Sequence, residues 1–197
     1  MDSRLIFRGS LATRKIPAPK VGLLWKLGNF PRLVPGLWRI GLARLTGVPT
    51  FFGTLHARLL KADGRVVDYG LVSTRLVTNA FVDFMVAQLQ TETSEWGDFK
   101  YHDSGIGVTP AAVGDTAIET TAGEARVAGS QEEGASTNIY KSIGTVSYTT
   151  TKAVTEHGLF SQLEGTTLMD HHVFSAINVE NGDSIQFTYN LTCSAGG

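Results

Sequence analysis

The rhythm of apolar and polar positions changes once along this chain, near residue 50. Over 1–50, Leu, Ile, Val, Phe and Trp are scattered among five prolines (Pro17, Pro19, Pro31, Pro35, Pro49), and no period runs through them. Proline lacks an N–H and biases the residue before it away from helix. This stretch is therefore expected to be an extended arm, with at most a short helical turn over 38–45. It is too apolar for a disordered tail, so it should bury its side chains on something. Fully stretched it would span about 165 Å at ~3.3 Å per residue.

Beyond residue 50 the period becomes two. Leu55, Ala57 and Leu59 fall on one side of a strand over 54–61, with His56 and Arg58 on the other. Asp63-Gly64 is a favoured two-residue hairpin turn, and 66–72 reads as the returning strand. A single helix follows. Phe81, Met85 and Leu89 recur every four residues beside Val82 and Val86, with Thr78 or Asn79 available as the cap. Short strand candidates then cover 99–102, 125–130, 139–148, 153–161, 168–175 and 184–192. In the last, Ile185, Phe187, Tyr189 and Leu191 share one face. Asn181-Gly182 before it predicts a hairpin with 173–179. Many short strands with regular turns predict a mainly β chain: an antiparallel β-sandwich or jelly roll carrying one helix and a long extended N-terminal arm.

Charge sharpens the division into an arm, 1–50, and a body, 51–197. The arm has nine basic residues against one acid, Asp2, a net of +8; the body has eight basic and 17 acidic, a net of −9. Two similar tetrads lie in the arm, Trp25-Lys26-Leu27-Gly28 and Trp38-Arg39-Ile40-Gly41. Tryptophan and arginine are frequent interface anchors, so Trp25, Phe30, Arg32, Trp38 and Arg39 are the expected anchor residues on a partner. Docking of both tryptophans on the chain's own body is the plainer alternative. The aliphatic residues between the cations serve no purpose on nucleic acid, and the prolines interrupt the period that a membrane-surface helix requires. Neither is an expected partner. No apolar run approaches the roughly 18 residues of a membrane span, and no secretory signal is evident. The Arg-rich, acid-poor start also fits a mitochondrial transit peptide. One cysteine, Cys193, excludes a disulfide framework.

No motif for chemistry survives inspection. Gly105-Ile106-Gly107 starts like a dinucleotide loop, but Pro110 stands where the third glycine belongs. Gly129 and Gly134 have phosphate-loop spacing, followed by Ala135-Ser136 in place of Lys-Ser/Thr. His171 and His172 are adjacent, so in a strand they point to opposite faces and serve poorly as joint metal ligands beside Asp170. His102-Asp103 and Glu156-His157 read as surface or turn pairs. Glu156 and Asp170 are the only pair offered for glycoside chemistry, and a poor one. The expectation is a chain that is not an enzyme and takes no cofactor or metal.

Three segments carry a resemblance: 99–121 (FKYHDSGIGVTPAAVGDTAIETT), 153–160 (AVTEHGLF) and 174–193 (FSAINVENGDSIQFTYNLTC). Their order resembles a family of small structural proteins of tailed-bacteriophage virions. The matching positions are Gly105, Gly107, Gly114, Asp115, Thr116, Glu156, Gly158, Phe160, Asn178, Gly182 and Asp183, and the likeness covers about half the chain. His157 and Cys193 depart from the pattern. Taken with an arm of +8 on a body of −9, the resemblance points to a capsid decoration (cement) protein on the exterior of the head, present in the host cytoplasm before assembly, whose basic arm clamps neighbouring subunits or the major capsid protein. Its partners would be the major capsid protein and copies of itself as a homo-oligomer. A tail adaptor, collar or fibre component is the alternative.

Overall fold

The computed structural model describes residues 18–46, 50–89, 99–164 and 167–194. The first 17 residues of the predicted arm lie outside that set. Two helices, α1 (Leu23–Thr46) and α2 (Asn79–Leu89), accompany nine strands: β1 (Thr50–Leu60), β2 (Val66–Leu76), β3 (Tyr101–Gly105), β4 (Val127–Ala128), β5 (Ser130–Glu133), β6 (Ile139–Ser147), β7 (Lys152–Phe160), β8 (Leu168–Val179) and β9 (Ser184–Ser194). A five-stranded sheet, in the order β2-β1-β9-β6-β5, faces a four-stranded sheet, β4-β3-β7-β8. Every strand pairing is antiparallel. The chain is a mainly β, antiparallel sandwich, as its alternating segments predict. Between the sheets lie Leu55, Ala57 and Leu59 of β1, Ile185, Phe187 and Tyr189 of β9, Val154 of β7, and Phe174 and Ile177 of β8, all buried. Each large apolar side chain contributes about 1.5–3 kcal/mol by leaving water.

The first hairpin forms as expected, with a longer loop than the Asp63-Gly64 pair alone implies. Lys61 N–H donates to Arg65 C=O at 2.8 Å and Gly64 N–H to Lys61 C=O at 2.9 Å. Gly64 takes φ +85°, the left-handed position that closes a three-residue hairpin loop. Helix α2 starts where its sequence predicts. Thr78 is the cap, its Oγ1 accepting from Phe81 N–H at 3.3 Å, and Phe81 enters the core against Phe99. The side chains of Val86 and Leu89 lie outside the described set.

Two expectations are overturned. The first is the hairpin between 173–179 and 184–192. β8 belongs to the four-stranded sheet and β9 to the other, so Asn181-Gly182 is a corner between sheets. Gly182 does adopt a turn conformation, φ +86°. The strands part because Asp183 is tied elsewhere. Its buried carboxylate accepts from Glu180 N–H, from Ala62 N–H and from Lys61 Nζ at 2.7–2.9 Å, fixing the corner to the β1–β2 loop.

The second is the extended arm. Residues 23–46 form one helix with Pro31 and Pro35 inside it. Both prolines lie on its solvent side. The carbonyls left without a helical N–H partner therefore open toward water, and the usual cost of an internal proline is reduced there. The described residues hold two helices rather than one. Before α1 the chain runs beside β2: Asp68 N–H donates to Pro19 C=O and Val21 N–H to Asp68 C=O, at 3.0 and 2.9 Å.

Candidate functional interface

Helix α1 has two distinct faces, and the first is turned to the body. The Trp25 indole N–H donates to Ala176 C=O at 2.9 Å, and its ring meets Tyr69 edge-on. Asn29, 1% exposed, spans the sandwich opening. Its Nδ2 donates to Val72 C=O on β2 at 2.7 Å, and its Oδ1 accepts from Ser175 N–H on β8 at 2.8 Å. One side chain thus joins an edge of each sheet. Arg32 donates to Ser175 Oγ at 2.8 Å. Gly36 sits so close that a Cβ there would lie 2.2 Å from Thr74 Oγ1. Asn29 and Gly36 escaped the sequence reading; a lone amide four residues after Trp25 was the available signal. Replacing Asn29 with Leu should cost about 2–4 kcal/mol, because a buried carbonyl and a largely buried N–H lose their partners. Thermal unfolding should register this as a drop on the order of 5–15 °C. An unchanged midpoint would show that α1 does not brace the sheets.

The second face looks outward. Leu23 is 71% exposed, Leu27 60%, Phe30 58%, Trp38 68% and Leu45 86%, with Val34 and Leu37 nearly half exposed. Lys26 and Arg39 are exposed beside this stripe. The five expected anchors divide between the two faces. Trp25 and Arg32 hold the chain's own body; Phe30, Trp38 and Arg39 face solvent. The repeated tetrads do not play one role twice, because thirteen residues at ~100° each carry Trp38 to the far side of the helix from Trp25. Between α1 and β2 a cleft of about 300 Å³ opens, lined by Trp25, Lys26, Asn29, Phe30 and Tyr69 among others.

Inside the body the sequence pairs turn out differently from expectation. His102, Asp103, Glu156 and His157 are all buried strand residues, not surface or turn pairs. The reason is that both faces of the four-stranded sheet are covered. On its outer face Glu156 accepts from Gly107, Thr120 and Glu119 N–H groups at 2.8–2.9 Å and meets His171 Nε2 at 3.0 Å. His171 Nδ1 meets Asp115 at 2.6 Å. Gly105 and Gly107 leave room for this carboxylate, since a Cβ on either would come within 2.5 Å of Glu156 Oε1. Burial works against charge on both groups. The His171 contact and the backbone donors nonetheless hold Glu156 below the usual carboxylate range, and the two carboxylates raise His171. This brace pins the 106–120 loop to the sheet.

On the inner face lies a polar seam. His102 Nδ1 meets His157 Nε2 at 2.9 Å, and His102 Nε2 meets Ser142 Oγ at 2.9 Å. His172 pairs with His157 across β7 and β8 and lies 3.3 Å from Asp170 without hydrogen-bond geometry. Tyr189 donates to Asp170 Oδ2 at 3.0 Å. The opposite sheet makes room through Gly144, whose Cβ would lie 2.4 Å from His102, and Gly53, whose Cβ would lie 2.0 Å from Asp170. Burial lowers His102 to about 3. Burial and the neighbouring imidazoles also push His157 well below the usual imidazole range. Glu156 and Asp170 sit on opposite faces of one sheet, so they do not converge as an acid pair. His171 and His172 likewise point apart.

Comparison with protein-family models, with curated proteins and with solved structures finds no match. Among the described residues no three His, Cys, Asp or Glu side chains are grouped to hold a metal ion, and no helix is long and apolar enough to cross a membrane. The candidate interface among the described residues is the outer face of α1, where the exposed apolar side chains gather. Exposed apolar area of that extent on a monomer marks an interaction surface.

Proposed function

We propose that this chain is a structural protein of a tailed-bacteriophage virion, a capsid decoration protein that assembles through the outer face of α1. The observation that carries the reading is that face: a continuous apolar stripe with basic residues beside it, on a helix that contains no acid. The motif residues behind the phage resemblance support it from another side. Gly105, Gly107, Asp115 and Glu156 build the loop brace, and Asp183 with Gly182 builds the corner between sheets. Those positions hold architecture together, as a structural protein's shared residues should.

The test is copy number in purified particles, by quantitative mass spectrometry against the major capsid protein. A ratio near one, or a simple fraction of it, is the expected result. Phe30→Glu with Trp38→Glu should empty those sites while leaving the fold intact, because neither side chain contacts the core. A ratio near one in a hundred would move the protein to the tail, as an adaptor or collar. Absence from particles would overturn the virion reading. Deleting the whole arm is the weaker experiment, since it removes Asn29 and the brace it makes.

A further inference from the structure

We infer that the outer face of α1 pairs with the same face of a second copy, the two helices antiparallel and crossing at Val34. The inference rests on the assembly reading above and names the partner. Leu23, Leu27, Phe30, Val34 and Leu37 are spaced four, three, four and three residues apart. That alternation of four and three is the a/d spacing of a seam that a second helix fills. The exposed apolar side chains of α1 together present on the order of 1,000 Å². A stable interface takes roughly 800 Å² from each partner.

Register and direction follow from the side chains. Antiparallel pairing about Val34 sets Phe30 against Trp38 of the second copy and Leu23 against Leu45. Leu27 falls opposite Gly41, where a Cβ would meet nothing within 4 Å, so the space for an incoming leucine exists. Phe30 also borders the cleft beside β2, which puts that cleft within reach of the second copy's Trp38. A parallel pair would set the two Lys26 side chains beside each other, with no acid on α1 to offset them. The antiparallel pair separates them and opposes the two helix dipoles.

The test uses the full chain in a Cys193→Ser background, because Cys193 is exposed. Sedimentation equilibrium at roughly 100 µM and below should give twice the chain mass, with Phe30→Glu weakening association at least a hundredfold. Val34→Cys should cross-link to a dimer under mild oxidation, and Leu27→Cys should not. Equal cross-linking at both positions would overturn the antiparallel register. A monomer at every concentration would overturn the pairing, as would one that floats with phosphatidylcholine–phosphatidylserine vesicles. If that monomer still decorates heads in high copy and loses them on Phe30→Glu, the virion reading stands and the face belongs to the capsid protein. A dimer absent from particles sinks the virion reading alone.

Discussion

Acidification is expected to unfold this protein steeply between pH 6.5 and 4.5, through the imidazoles in its core. An unfolded histidine takes a proton near pH 6.5, whereas folded His102 resists until about 3 and His157 is also strongly depressed. Over that interval the unfolded chain binds more protons than the native one, so stability falls as pH falls. The contribution is complete above 6.5. Each pH unit below it removes about 1.4 kcal/mol per imidazole, so His102 alone accounts for about 2.7 kcal/mol by pH 4.5. His157 acts in the same direction, against a total stability of about 5–15 kcal/mol. His171 runs the other way. Its raised pKa gives stability that is full below 6.5 and lost as pH rises through the folded value, so it acts above this interval and leaves the slope within it to the seam. Carboxylates held low, such as Glu156, lose their contribution only at more acid pH. Urea unfolding at pH 7.5, 6.0, 5.0 and 4.5 measures the slope. A value near two protons is expected; a flat profile over this range would mean the seam takes up protons while folded.

Glu156→Ala is expected to be the most damaging single substitution on the outer face of the four-stranded sheet, at about 3–5 kcal/mol. It removes a buried acceptor from three backbone N–H groups and strips His171 of one of its two carboxylates. The damage should be local first. Hydrogen exchange at Gly107, Glu119 and Thr120 should accelerate well before exchange in β1 or β9. Glu156→Gln keeps the shape and one acceptor oxygen, so it should fall between the two. Uniform acceleration across the molecule would mean the loop and the sandwich open as one unit.

The strands were legible because burial on one face writes itself as alternation. Ile185, Phe187, Tyr189 and Leu191 are the plainest case, and all four are buried as a set. The four-stranded sheet was harder. With α2, a loop and the second sheet covering both its faces, β7 buries Glu156 and His157 alike, and adjacent polar letters look like surface. The glycines that make room, Gly53, Gly144, Gly105 and Gly107, sit far from the residues they accommodate, so spacing along the chain does not reveal the match. Asn181-Gly182 announced a turn correctly. Its use between sheets depends on Asp183 reaching Lys61 and Ala62, more than a hundred residues away. In α1 the prolines dominated the reading, and the side of the helix they occupy becomes visible only once the opposite side is seated on β2 and β8. Hence the sequence reads five residues alike as anchors, although Trp25 and Arg32 turn to the body and Phe30, Trp38 and Arg39 to solvent, and it passes over Asn29, which holds their platform.

The short run of chain at 19–21 has a consequence for the margins of the larger sheet. It occupies backbone groups of Asp68 on the outermost strand of the larger sheet, and α1 then lies along the rest of that flank. At the far end of the same sheet β5 is four residues long and carries Glu132 and Glu133, both exposed. Neither margin offers a long, flat, uncharged ladder to which another molecule could add a strand. Strand addition at either margin of the larger sheet is therefore disfavoured, and contacts made there are left to side chains.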